Sequence, residues 1–421
     1  MTRFSHPVFV AAGLRTPFGR GGGALAGYDA ISLSVPVVQA MARHAEPDLV
    51  VWGTVIPNLG WSNIAREIWL DARLNPNIPA FSVVLACSTS MAAALAAAGM
   101  LGGGIDLAMV GGAEVMSRPP IALTAKASKR LTDLFAQDPT AALAALQALT
   151  PQDYILPVKG WANRITGRTM GDHMEETAKE WRISREAQDN WALMSHQRAI
   201  AAWGAGFFDD LIVKLPELER DANPRADTSA EKLAALKPAF DKTRGRGSLT
   251  AGNSSPITDG AAGCWIANES GLARLPSGTP YVRMVDYEVA AVDHHTEGLL
   301  MAPSYAIPRL LSRHGLRYAD IDLWEIHEAF AAQVLANIAA VEKLDWVRSK
   351  TGIDADLGRF PWDRVNPNGG SVAIGHPFGA TGARDLSQAA KELWSRPVGS
   401  RAIVSVCADG GQGTVTLLER V

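Results

Sequence analysis

The chain has 421 residues, enough for two or three globular units at roughly 150 residues each and for a large buried core. Hydrophobic residues make up 47% and charged residues 20%, the balance of a folded protein rather than a disordered one. Lys and Arg number 40 against 43 Asp and Glu, a net charge of −3. That balance argues against general nucleic-acid binding or a polybasic membrane surface, and leaves room for a local basic patch that grips a phosphorylated small molecule.

In chain order, the first twenty residues hold an apolar run, Val8–Leu14, broken by Arg15. It reads as a β-strand rather than a signal peptide. The stretch from Ala80 to Ile105 carries no charge and matches a bilayer in length. Its Ser82, Cys87, Ser88, Thr89, Ser90 and Gly102–Gly104 argue against a transmembrane helix. Three cysteines (Cys87, Cys264, Cys407), odd in number and far apart, exclude a disulfide scaffold and a zinc site, and point to a reducing compartment, the cytoplasm.

Residues 1–118 and about 247–421 are rich in Ala, Gly and Val, with short apolar runs followed by Ala-rich helical patterns, as in a layered α/β unit. The flanking regions share one grammar. FSVVLACSTSMAAALAAAGML (81–101) reads as strand, polar turn at Cys87, then helix. IDLWEIHEAFAAQVLANIAAV (321–341) reads as strand, polar turn at His327, then helix. A further strand ending in a glycine turn follows each, at 106–114 and 401–413, which suggests duplicated halves facing each other. Between them, 119–246 reads as an inserted lobe, more charged and helix-like. It contains an amphipathic stretch at 130–149 with a proline break, a helix at 184–203 opened by a Ser N-cap, and an extended loop at 221–247 that returns to the main body. His173 and His196 read as surface or lobe-packing residues, and Arg182, Arg185 and Glu186 as a solvated face.

Cys87, at a strand-to-helix junction, would lie near unpaired N–H groups that ease ionisation of a thiol; a buried structural cysteine fits the same position. Cys264 lies in a strand pattern without a polar turn and reads as core. The run NPNGGSVAIGHPFGATGAR (366–384) pins His376 in a glycine-dense turn, and it is not a dinucleotide-binding fingerprint. Cys407 ends a buried strand before ADGGQG (408–413) and points into a cleft. Two thiols and an imidazole form a specific set: one thiol makes a thioester, the imidazole takes its proton, and the second thiol moves a proton at carbon. Backbone N–H groups or His327 would hold the oxyanions. Asp293, His294, His295 and Glu297 read as a polar loop, since adjacent histidines rarely converge on one ion; no metal is expected.

With these residues placed, the sequence resembles the thiolase family over essentially its whole length. The motifs are RTPFGR (15–20), ACSTS (86–90), GGAEVMS (111–117), TAGNSSPITDGAAG (250–263), HEAFAAQ (327–333), GGSVAIGHPFGATGAR (369–384) and CADGGQG (407–413). The HEAF form, with NIAREIWL (63–70) and MGDHMEETAKEW (170–181), is similar to the thiolase subunits of bacterial fatty-acid oxidation and trifunctional complexes. The resemblance implies an α/β thiolase fold: two duplicated βαβαβαββ halves in five layers, αβαβα, with an inserted helical loop domain. The halves would be 1–118 and 247–421, with the last strands of the first half at the start of the second segment. It also implies a homodimer or dimer of dimers, acyl-CoA and CoA as substrates, and no tightly bound cofactor.

In the roles so implied, Cys87 attacks the keto carbon of a 3-ketoacyl-CoA, activated by His376. Cys407 protonates the departing acetyl-CoA enolate, and His327 with a water holds the enolate oxygen. The backbone N–H groups of Cys87 and Asp409 complete an oxyanion hole. Ser255, Ala251 and Arg225 fall at CoA-binding positions, Met170 and Phe330 at the acyl pocket. Two positions depart from the family. Asp409 stands where many relatives have Gly, so its carboxylate is expected to point away from the oxyanion. Thr169 replaces the His of acetoacetyl-CoA-specific members. The rivals are an acetoacetyl-CoA thiolase working in the condensing direction, a ketosynthase-like enzyme, which pairs Cys with two His and lacks the second thiol, and a non-catalytic acyl-CoA or lipid carrier. A hydratase–dehydrogenase partner would dock, by analogy, on the helical lobe at 120–160.

Overall fold

The computed structural model describes residues 4–155, 162–243 and 245–421. Among these, the strands are β1 (Phe9–Ala11), β2 (Gly19–Arg20), β3 (Leu49–Gly53), β4 (Ala80–Ser82), β5 (Leu107–Glu114), β6 (Ala122–Leu123), β7 (Tyr154–Ile155), β8 (Thr258–Ala267), β9 (Tyr281–Ala291), β10 (Leu323–Ile326), β11 (Arg401–Ala408) and β12 (Gln412–Glu419). The main ladder has the order β10-β11-β12-β9-β1-β8-β5-β3-β4, with β2 on β8; β6 and β7 pair separately.

The order repeats in both directions from the central antiparallel β1–β9 pair. On one side β1, β8 and β5 are antiparallel, then β5, β3 and β4 are parallel. On the other, β9, β12 and β11 are antiparallel and β11 and β10 are parallel, with Trp324 of β10 bridged in parallel to Val365. The duplication expected from the sequence is therefore visible as topology, but it matches β10 with β3 and the Val365 bridge with β4. The strand before His327 thus repeats β3, and not the strand before Cys87 as the sequence pattern suggested.

Alternate residues of these strands are buried on opposite faces, the signature of a sheet covered by helices on both sides. In β3, Leu49 and Val51 pack toward the central helices Thr89–Met100 and Thr381–Trp394, and Val50 and Trp52 toward the outer helices Ala30–Ala42 and Ile64–Asp71. In β11, Ala402, Val404 and Val406 face the same central helices, and Ile403 faces Ala302–Arg313 and Ala331–Val341. The five layers follow. The central layer is built from Ala93, Ala94, Ala97, Ala383 and Ala389, whose small side chains let two helices fit between the two halves of the ladder.

The amphipathic stretch at 130–149 resolves into helices Ala125–Gln137 and Pro139–Gln147, broken at Asp138. That residue caps the second helix through the Thr140 and Ala141 N–H groups, with Pro139 at its first position. Ser184 caps helix Arg185–Gly204, and the loop at 221–247 holds a short helix, Ala230–Ala234. Arg185 departs from the solvated face expected of it. It pairs with Asp189 at 2.7 Å and donates to the Leu233 and Leu236 carbonyls, because the 221–247 segment folds back over it. His173 and His196 are buried packing residues. No helix among the described residues is long and apolar enough to cross a membrane.

Candidate active site

Cys87 follows Ala86, whose φ of +43° bends the chain out of β4 before the Thr89–Met100 helix begins. The turn is fixed by Leu85 N–H donating to Thr89 Oγ1 and by Thr89 Oγ1 donating to the Ala86 carbonyl. Facing it, the loop before helix Thr381–Trp394 lies against β5 so closely that a Cβ at Gly112 would meet the Gly379 carbonyl at 2.1 Å. Gly375 turns this loop at φ +115°. His376 is seated by its backbone N–H on Thr258 Oγ1. These elements bring ligand atoms of Cys87, His327 and His376 within 4.8 Å of one another, and the two imidazole centres lie 4.1 Å apart.

The hydrogen bonds behind the rings are compatible with opposite tautomers. Thr381 Oγ1 donates its proton to the Pro377 carbonyl, so at 2.6 Å it accepts from Nδ1–H of His376. That leaves Nε2 of His376 with a lone pair. Ser371 Oγ accepts from Arg384 Nη2 at 2.8 Å and has its own proton to give to Nδ1 of His327, also at 2.8 Å. In that arrangement Nε2 of His327 carries the N–H. Both Nε2 atoms are buried without a protein partner. With these tautomers one Nε2 accepts a proton and the other donates, the complement an acid–base step beside an oxyanion needs.

Burial, then the Arg384 charge, pushes His376 down to about 3. His327 is held well below the ordinary imidazole range by burial, by His376 and by Arg384. Both rings are neutral at neutral pH. The thiol departs from the expected easy ionisation. Burial first, and then the charge of Asp409, pushes Cys87 up to about 12, although its own N–H and that of Asp409 favour the thiolate. Cys87 is therefore a neutral thiol that would need a base to give up its proton. Cys407, buried among Leu249, Met301 and Phe330, is raised by burial and by Cys87, so the two sulfurs lie within electrostatic reach. Cys264 lies fully buried in β8.

The Asp409 side chain turns to Asn163, which donates to it at 2.7 Å, and its charge still reaches Cys87. Met170 and Phe330 pack on the apolar cluster around Cys407. Thr169 caps helix Met170–Glu180 in a reciprocal bond with Asp172. A cleft of about 210 Å³ is lined by Arg20, Arg225, Lys232, Ala251, Ser254 and Val372, among others. Ser255 lies next to that wall, with its N–H on the Ala329 carbonyl.

Sequence reasoning missed the residues that hold the reactive ones. Arg384 sits between Glu325, Asp385 and Ser371, all buried. Glu114 accepts from Thr54, from the Val55 and Ile56 N–H groups and from Gly379 N–H. Glu328 accepts from Trp191, Ser195, Asn366 and the Val372 N–H. Arg384, Glu114 and Glu328 stand inside recognised motifs, so a charged residue in an otherwise apolar motif was the available signal.

Residues 8–270 match the family model of the thiolase N-terminal domain and residues 278–420 that of the thiolase C-terminal domain. The chain is 38% identical to the 3-ketoacyl-CoA thiolase of Erwinia tasmaniensis, over 100% of this chain and 98% of the relative. It is 37% identical to that of Photobacterium profundum, over 99% and 98%. The acetyl-CoA acetyltransferase of Bacillus anthracis superposes with a TM-score of 0.80 at 33% identity, covering 99% of both chains. The Acat5 thiolase of Ascaris suum, solved with coenzyme A, gives 0.78 at 26%, covering 99% of this chain and 100% of that one. With both family domains matched in order along a duplicated, five-layered fold, the chain belongs to the thiolase family.

Proposed function

We propose that the protein is an acetyl-CoA C-acyltransferase that cleaves 3-ketoacyl-CoA with CoA to acetyl-CoA and a shortened acyl-CoA. The observation that carries this reading is the cluster of Cys87, His327 and His376 within 4.8 Å, with both Nε2 atoms buried and free of any protein partner. Cys87 Sγ attacks the keto carbon as its proton passes to Nε2 of His376, and the alkoxide is held by the N–H groups of Cys87 and Asp409. Collapse breaks the C2–C3 bond, and the electron pair moves into an enolate stabilised by Nε2–H of His327. The Cys407 thiol gives its proton to C2, releasing acetyl-CoA, and its thiolate then takes the proton of incoming CoA. The CoA sulfur displaces Cys87, which recovers its proton from His376.

The Arg20, Arg225 and Lys232 cleft suits the phosphates of CoA, and its wall at Ser254 adjoins Phe330. Apolar Val84, 63% exposed, stands beside β4 at the open end of the ladder, and we assign this face to a homodimer. Cys plus two His also suits a ketosynthase-like condensing enzyme; Cys407 within reach of Cys87 favours the thiolase reading. The test is thiolysis of acetoacetyl-CoA and a long-chain 3-ketoacyl-CoA, followed by loss of the magnesium–enolate absorbance. Turnover of at least one is expected, and turnover of neither with free CoA present overturns the proposal.

A further inference from the structure

Asp409 joins two parts of the molecule that the reaction scheme treats separately. Its backbone N–H faces the Cys87 sulfur. Its carboxylate accepts at 2.7 Å from Nδ2 of Asn163, a residue 94% buried and 246 positions away in sequence. The other end of the Asn163 amide organises a tight loop: Oδ1 accepts from the Ile165 and Thr166 N–H groups at 3.0 and 3.1 Å. The loop is closed by Asn163 N–H on the Arg168 carbonyl and by Gly167 N–H on the Asn163 carbonyl, both at 2.8 Å, with Gly167 at φ +68°. Thr166 Oγ1 then meets Nε2 of His173 at 2.7 Å, on the first turns of helix Met170–Glu180. A chain of side chains therefore runs from that helix to the peptide N–H beside the nucleophile.

The turn that carries this N–H is closed by Ala408 opposite Gln412 and anchored at its far end by Val292 N–H on the Gly411 carbonyl at 2.7 Å, which leaves the Asp409 side chain as the contact that holds its near end. Gly410 and Gly411 follow at φ +84° and +72°, and Gly410 N–H bonds back to the Asp409 carboxylate itself. A backbone donor in a glycine turn is useful for catalysis only if its direction is held before the oxyanion forms, because donors that must reorient lose most of their effect. We propose that the Asp409–Asn163 hydrogen bond is a positioning contact by which the 163–168 loop fixes the Asp409 N–H for the oxyanion formed at Cys87. This inference rests on the proposed Cys87 chemistry. Its carboxylate also places a negative charge near the thiol, so bond and charge must be separated experimentally.

Three variants separate them. Asn163→Ala removes the bond and keeps the charge, Asp409→Asn keeps an acceptor for Asn163 and removes the charge, and Asp409→Gly removes both. Wild-type turnover and inactivation by iodoacetamide at Cys87 are measured first, and failure there sinks the thiolase reading before any variant is made. Given turnover, Asn163→Ala and Asp409→Gly are expected to lower kcat by about 10- to 100-fold, short of the roughly 100- to 1,000-fold cost of deleting an oxyanion donor. KM for CoA should change less than threefold. Asp409→Asn should retain a kcat at least tenfold above that of Asn163→Ala. The pH dependence of iodoacetamide alkylation should move to lower pH in both Asp409 variants and stay in place in Asn163→Ala. A kcat for Asn163→Ala equal to wild type, or one for Asp409→Asn as low as that of Asn163→Ala, overturns the proposal. Unchanged cooperative thermal melting keeps either result from being read as misfolding, and a variant that fails to melt cooperatively is replaced by Asn163→Ser, judged by the same kcat criteria.

Discussion

The two halves of the ladder share one topology and use it for different ends. In the first half the parallel β3–β5 pairing closes at Gly53 and Gly112; in the second, β10–β11 closes at Ile326 and Ser405. One residue beyond these pairs stand Thr54 and His327, and two beyond stand Glu114 and Cys407. In the first half these positions are framework. Thr54 donates to Glu114, which also gathers the Val55, Ile56 and Gly379 N–H groups. In the second half they hold an imidazole and a thiol facing the Cys87 pocket. Duplication supplied two equivalent strand ends, and a carboxylate at one end steadies the loop of His376 through Gly379. The lesson is that a reactive site needs one rigid copy of the motif as much as one reactive copy.

The largest expected effects test that division directly. Cys87→Ala should lower thiolysis by on the order of 10⁴-fold or more, as removal of a covalent nucleophile does, in a stopped-time assay of acyl-CoA product. Full turnover by this variant would end the assignment. His376→Asn and Cys407→Ser should each cost about 100- to 10,000-fold as lost proton-transfer groups. His327→Ala should cost about 100- to 1,000-fold as a lost oxyanion donor, with KM little changed. Thr54→Val, at the position equivalent to His327, should alter kcat less than tenfold. A Thr54→Val defect as deep as that of His327→Ala would erase the functional contrast between the halves.

The pH profile sharpens the same contrast. His376 is held down to about 3 by burial and the Arg384 charge. In its proposed role as base it stays unprotonated through the range where a free imidazole titrates near 6.5. The acid limb of kcat/KM should therefore lie below pH 5, and replacing Arg384 with Met should shift it upward. The folded-state value is depressed, so the unfolded chain takes up the proton first. Stability from this group is complete above about pH 6.5 and declines as pH falls toward 3. An acid limb centred at 6.5 in the wild-type enzyme would contradict the neutral, enclosed imidazole.

Much of the site was legible because its residues sit at breaks in pattern. Cys87, His327 and Cys407 each end an apolar run, and His376 sits among glycines that only a close backbone approach explains. The strand–turn–helix grammar suggested the duplication but matched the His327 strand to the wrong partner and could not place β1 against β9, since pairing order depends on contacts hundreds of residues apart. The supports were less legible for the same reason. Asn163 meets Asp409, and Ser371 meets both His327 and Arg384, through contacts that no local periodicity encodes. The ease of thiol ionisation was misread from the helix terminus alone, because burial and the Asp409 charge outweigh the nearby N–H groups.

Glu328 gives a stability test. It adjoins His327 and accepts four hydrogen bonds from Trp191, Ser195, Asn366 and Val372, tying helix Arg185–Gly204 to the second half. Truncation to Ala leaves those donors buried and unpaired, at about 1–3 kcal/mol for each that water cannot reach. A loss of about 3 kcal/mol or more is expected from the urea midpoint. A Glu328→Ala protein as stable as wild type would mean that the lobe is held by other contacts.

The smallest effect concerns the first half's own carboxylate. Burial pushes Glu114 up to about 7 despite the N–H groups that favour its charge. The folded protein thus keeps this proton where the unfolded chain, titrating near 4.5, has lost it. By linkage, stability from this group is greatest below about pH 4.5, declines as pH rises to 7, and is constant above. Glu114→Gln removes that dependence, so the change in urea midpoint between pH 5 and pH 8 should shrink in the variant. Because Gln still offers one acceptor oxygen to the 54–56 turn, kcat should fall less than tenfold. If the midpoint difference is the same in both proteins, Glu114 is ionised throughout, and the framework half is steadied by a permanent charge at its strand end.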